Sequence, residues 1–165
     1  MTSDWILRGT IITVAECGPT EARYEVVCDQ AWRTKSADIY VRTGTDERSL
    51  RIALADGKWH ENGKENETIR ECVDIDLEWS PSTNTIPVRR LRLAIGQRSG
   101  VITAAWVRFP YLTLQPLRQE YERTSERSFR YTSGEGAFAA DVAVDGEGLV
   151  LDYEGFWQRA VEAPK

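Results

Sequence analysis

The feature that most limits what this chain can fold into is a two-residue alternation of apolar and polar side chains, repeated in short runs from end to end. Residues 24–29, 37–42 and 49–54 are such runs, and in the last of them Leu50, Ile52 and Leu54 share one face with Arg51 opposite. A period of two is the signature of strands with one buried face. Asp56-Gly57 and Asn62-Gly63 supply residues tolerant of positive φ, so each predicts a tight hairpin turn. Residues 72–79 alternate cleanly, with Val73, Ile75, Leu77 and Trp79 on one side and Cys72, Asp74, Asp76 and Glu78 on the other. Residues 88–95 alternate again and read as a further strand, followed after Gly100 by an apolar run over 101–109. Later runs cover 112–114, 128–132, 138–144 and 149–153, the last two joined by a hairpin at Asp145-Gly146 and Gly148. Residues 117–128 are the best helix candidate, although Gln119 and Tyr121 suit an edge strand as well, and 156–161 predict a final turn or extension. At 165 residues this is one domain. It is all-β, mostly antiparallel, in a sheet that curls into a sandwich or barrel.

Composition narrows the function. Lys and Arg total 21 against 26 Asp and Glu, and a net charge of −5 argues against a nucleic-acid partner, which would need a clustered basic surface. The first residues have neither a basic stretch nor an apolar core, so no signal peptide is expected, and no run is long and apolar enough for a transmembrane segment. Cys17, Cys28 and Cys72 are odd in number and widely spaced, which predicts free thiols in a reducing compartment and a cytoplasmic protein. His60 is the only histidine, so neither a metal centre nor a histidine-based triad is expected, and no cofactor fingerprint occurs.

The informative positions are those where the alternation breaks. If Leu91, Leu93 and Ile95 face inward, Arg89 is aimed inward with them, and a buried guanidinium must find an acceptor, an aromatic face, or water. Its fork of donors also suits an anionic or hydroxyl-rich ligand. Arg90 and Arg92 are expected to meet Asp74 and Asp76 across a hairpin, which would hold both acids ionised. The connecting residues 80–87 carry four hydroxyls, an amide and two prolines; Thr83 and Asn84 either satisfy their own backbone or contact a ligand. Trp106 and Phe109 lie on a strand apolar on both faces, which is either central in the core or borders a cavity. Tyr121, Phe129, Tyr131, Phe138, Tyr153, Phe156 and Trp157 load the last third of the chain, where core packing and the wall of an apolar groove are the two alternatives.

The run from Cys72 to Leu91, with Asp74, Asp76, Pro81, Thr83, Asn84, Thr85, Pro87, Arg89, Arg90 and Leu91, resembles the signature of the bacterial family named putative glycolipid-binding, formerly a domain of unknown function. Further similarity covers Trp106-Val-Arg-Phe-Pro110, Gln119-Glu-Tyr121 and 145–153, and extends more loosely to Glu21, Tyr24, Trp32 and Arg33. The resemblance implies a cytosolic bacterial protein with a strongly curved antiparallel sheet, a pseudo-barrel like those of lipoprotein carriers that hold acyl chains in an open cavity. Together these readings predict a non-catalytic binder of an amphiphile, a glycolipid or fatty acyl compound. Trp106, Phe109, Tyr121 and Tyr131 would form the apolar wall. Arg89, Arg90, Thr83 and Asn84 would orient the head group, with Asp74 and Asp76 holding the arginines. The alternatives are a small-molecule enzyme built on Asp74, Asp76, Arg89 and Arg90, and a structural module with a filled core.

Overall fold

The computed structural model describes residues 4–161. It is mostly strand, arranged as two sheets, the second curled into a half-barrel. The first sheet contains β1 (Trp5–Ala15), β2 (Gly18–Cys28), β3 (Thr34–Thr43), β4 (Asp46–Ala55), β5 (Lys58–Glu61) and β6 (Lys64–Glu65). The second contains β7 (Asp74–Leu77), β8 (Ile102–Arg108), β9 (Thr113–Arg123), β10 (Ser128–Ser133), β11 (Phe138–Val144), β12 (Val150–Tyr153) and β13 (Trp157–Gln158). In both sheets the spatial order follows the chain. Among the described residues every pairing is antiparallel except one: β7 runs parallel to β8, with Asp74 opposite Ala104 and Leu77 opposite Val107.

That parallel pair corrects the sequence reading of residues 88–95. Two parallel neighbours need a crossover between them, whereas a hairpin would have made them antiparallel. The crossover consists of a 3-10 helix, Pro81–Asn84, running into α1, Thr85–Leu91. Ser80 accepts the Ser82 N–H, and Pro81 follows it in the first turn, where a missing N–H is harmless. Pro87 lies within the first turn of α1 for the same reason, and α1 ends at Arg92, whose φ of 49° is left-handed. Residues 117–128 are also resolved: β9 takes 113–123 as a strand. The glycine turns stand where expected, between β4 and β5, β5 and β6, and β11 and β12. β1 was not anticipated, and its outward Ile12 and Val14 explain why, since an exposed apolar face obscures the alternation.

Two cores result. The inner face of the first sheet (Ala22, Val26, Ile39, Val41, Leu50, Ile52, Trp59) packs on Ile75 and Leu77 of β7, Ile86 of α1, and Ala105, Val107 and Phe109. The second lies in the curl of the other sheet, where Tyr121, Phe129, Tyr131, Val142, Val144 and Val150 meet Val88, Leu91 and Leu93. β7 is thus covered on both faces: Ile75 and Leu77 enter the first core while Asp74 lies buried on the opposite side. Cys28 and Cys72 are buried, which pushes both thiols up to about 11, and His60 lies in β5.

Candidate functional site

The curl of the second sheet is not filled. A groove of about 540 Å³ opens between its concave face and β1, with Ile11 and Thr13 of β1 forming one rim and Phe156 and Trp157 contributing to the wall at the far edge of the sheet. The volume lies within the roughly 300–1,000 Å³ usual for small-molecule sites. Its walls are aromatic and aliphatic: Trp79, Trp106, Leu117, Tyr131, Phe138 and Tyr153. These rings brace one another, with Tyr131 edge-on to Phe138 at 5.9 Å and to Tyr121 at 5.2 Å, and Phe156 edge-on to Phe138 at 5.2 Å. The polar groups are few and include Asp76, Glu78, Asn84 and Ser133.

The two acids of β7 have separate fates. Asp74 is buried and accepts both Nε of Arg90, at 3.0 Å, and its Nη2, at 2.5 Å, so Arg90 ties α1 to β7. Burial raises the Asp74 carboxyl above its usual range, and Arg90 opposes that rise. Asp76 does not meet Arg92, which is exposed at the end of α1; its Oδ2 accepts from the amide of Gln119 on β9. Burial pushes the Asp76 carboxyl up to about 6, against the pull of Gln119. The expectation that an arginine meets each acid is therefore corrected for Asp76 alone: Arg90 pairs with Asp74, while the partner of Asp76 is a neutral amide and burial raises both carboxyls. Among the described residues no protein donor reaches the second oxygen of Asp76, which belongs to the groove wall.

Of the ten residues expected to bind ligand, Asp76, Asn84, Trp106 and Tyr131 line this groove. Asn84 donates to the Tyr121 hydroxyl at 2.8 Å, which places Tyr121 just behind the wall. Burial raises the phenols of Tyr121, Tyr131 and Tyr153, so they remain protonated. Thr83 is buried, its hydroxyl accepting the Leu77 N–H at 3.1 Å, the backbone-satisfying role. Phe109 stacks on Trp79 at 5.0 Å from within the first core. Arg90 and Asp74 form the strut, and Arg89 faces a different pocket, over the Trp32 ring.

Missed from sequence as wall residues were Ile11, Thr13 and Gln119's role behind Asp76, none of which breaks a pattern. Phe138, Tyr153, Phe156 and Trp157 were visible only as an aromatic surplus. Trp106 fits the cavity-bordering alternative: its strand buries Ala105 and Val107 in the first core and turns Trp106 to the groove.

Comparison with known proteins decides the family. A family model described as "Putative glycolipid-binding" matches residues 2–159. The chain belongs to that family. A crystal structure of a DUF1089 family protein from Pseudomonas aeruginosa is similar over 96% of this chain and 93% of its own, with 34% identity and a TM-score of 0.85. No curated protein matches. Among the described residues, no helix is long and apolar enough to cross a membrane.

Proposed function

We propose that this member of the glycolipid-binding family holds an amphiphile in the groove of its second sheet, and that the head group it selects is uncharged and rich in hydroxyls. The observation that carries this reading is the lining itself: an aromatic wall with two carboxylates, Asp76 and Glu78, and, among the described residues, no Lys, Arg or His. Aromatic faces suit an alkyl chain or the apolar face of a sugar ring. The open oxygen of Asp76 is an acceptor for hydroxyls, and it disfavours a phosphate or carboxylate head. Glu78 is occupied, accepting Arg108 Nε at 2.7 Å and the Phe109 N–H at 2.8 Å. Arg108 stacks on the Trp106 ring at 4.1 Å and is engaged by Glu78.

Tryptophans 79, 106 and 157 all line the groove, so binding should report directly in fluorescence. Titration with an alkyl glucoside is expected to saturate, an alkyl phosphate of equal chain length to bind far more weakly, and Trp106→Ala to weaken the glucoside by roughly tenfold. Saturation by the phosphate alone would remove the head-group assignment. Response to neither would remove the carrier reading.

A second reading rests on Asp76 alone. A carboxyl at about 6 inside an apolar groove can both take and give a proton near neutral pH, which is what general acid–base catalysis asks of it. Asp76→Asn separates the two: a carrier keeps much of its glucoside affinity, whereas an enzyme loses all turnover of its substrate.

A further inference from the structure

The second arginine of the Arg89-Arg90 pair is explained by Asp74; the first is not explained by anything in the groove. Arg89 is half-buried, and among the described residues it has no carboxylate within ion-pair distance. Its guanidinium lies over the Trp32 ring at 5.5 Å, and its methylenes run so close to Gly148 that a Cβ there would come within 2.9 Å of Cδ. It borders a second pocket, of about 580 Å³, which shares no lining residue with the aromatic groove.

The charge of this pocket is opposite to that of the groove. Arg89, Arg92, Arg123 and Arg127 face Glu126 and Asp145. Arg123 is committed to backbone, donating to the carbonyls of Leu93, Ser125 and Glu126. Asp145 is committed too, accepting the N–H groups of Glu147 and Leu149 in its own turn and lying 3.6 Å from Arg159. Arg89, Arg92 and Arg127 thus line one pocket with no ion pair among the described residues, opposed there by the exposed Glu126 carboxylate, which leaves the pocket a net positive charge that an anion would offset. Beside them, Trp5 and Trp32 stack at 5.1 Å, and Trp5 remains 40% exposed. Trp32 is held at a φ of 62°, a conformation that so large a side chain rarely adopts and that surrounding structure must enforce.

We propose that this pocket binds a phosphate monoester carrying a planar ring: the phosphate takes the fork of Arg89, with Arg92 and Arg127 closing over it, and the ring lies against Trp5. Guanidinium forks match phosphate oxygens in pairs, and the tryptophan pair supplies the flat apolar surface that a free inorganic anion would not need. The proposal does not depend on what occupies the groove.

The test is calorimetric titration of the full chain at low salt with AMP, with inorganic phosphate, and with phosphatidylcholine vesicles containing phosphatidic acid. AMP is expected to bind more tightly than phosphate, and its affinity to fall as salt rises. Arg92 and Arg127 are both exposed, and asparagine accepts the left-handed backbone at position 92. The double variant R92N/R127Q therefore keeps the fold, and it should lose AMP affinity by roughly tenfold or more while its alkyl glucoside affinity stays unchanged. Arg89→Lys, which keeps the charge but not the fork, should weaken AMP as well. Binding of vesicles but of neither soluble probe would overturn the planar-ring ligand and assign the pocket to a lipid phosphate headgroup. No binding of any probe, or equal AMP affinity in the double variant, would overturn the proposal.

Discussion

The two sheets are built from the same alternating pattern, yet they use their inner faces differently. The first sheet presents aliphatic side chains, and it meets β7, α1 and β8 in a core where Val26, Val41, Ile52, Ile75 and Ile86 are almost fully sealed. The second sheet curls, presents tyrosines and phenylalanines, and is covered by α1 over only part of its length, so that Tyr153, Phe138 and Phe156 are left at an open wall. Aliphatic faces of matched volume close on each other. Large flat rings with polar tips brace one another around a space instead, and a carboxyl can then persist in the wall.

This contrast can be broken in three ways, beginning with the largest effect. Asp74→Ala leaves the Arg90 guanidinium without its partner between α1 and β7, and should cost about 3–5 kcal/mol in chemical denaturation. A loss below 1 kcal/mol would mean that α1 is not tied down by this pair. Ile52→Ala, in the sealed core, should cost about 2–5 kcal/mol, whereas Phe156→Ala, with Phe156 69% exposed at the groove wall, should cost well under 1 kcal/mol and act on ligand affinity instead. Equal losses of stability would erase the distinction between the sheets.

The pH-dependent effect has a definite sign. Between the usual carboxylate value of 3.8 and about 6, folded Asp76 holds a proton that the unfolded chain releases. Stability therefore falls as pH rises through that window, and the full penalty stands above it. Asp76→Asn should raise Tm by a few degrees at pH 7.5, and the gain should vanish near pH 4. A gain that is the same at both pH values would show that ionisation is not its source.

How much of this was legible from sequence depended on whether a residue's role was local. Asp56-Gly57, Asn62-Gly63 and Asp145-Gly146 form turns through their own backbone preferences, and all three were readable. Residues 88–95 were not, because Leu91, Leu93 and Ile95 happen to alternate, and Pro81 and Pro87 look like loop residues when each in fact lies in a first helical turn. The Ser80-Pro81 pair was the available signal for a helix start. Asp74 and Asp76 stood out as acids, and Arg90 was correctly paired with Asp74, although through a crossover helix rather than across a hairpin. The Gln119 partner of Asp76 was not legible, since β9 reaches β7 only by way of the fold. Arg89 was conspicuous for its conflict with an apolar face only under a strand reading that α1 overturns; in the fold it borders the second pocket.

The single parallel pairing also has a kinetic meaning. Because every other strand lies beside its neighbour in the chain, each sheet can zip up through local hairpins with little entropy lost to loop closure. The β7–β8 ladder alone must wait until residues 78–101 have bridged it and α1 has docked. The ordering of that crossover is therefore the step expected to limit the rate of folding, and substitutions in α1 that leave the hairpins untouched should slow refolding more than those in β1 or β13.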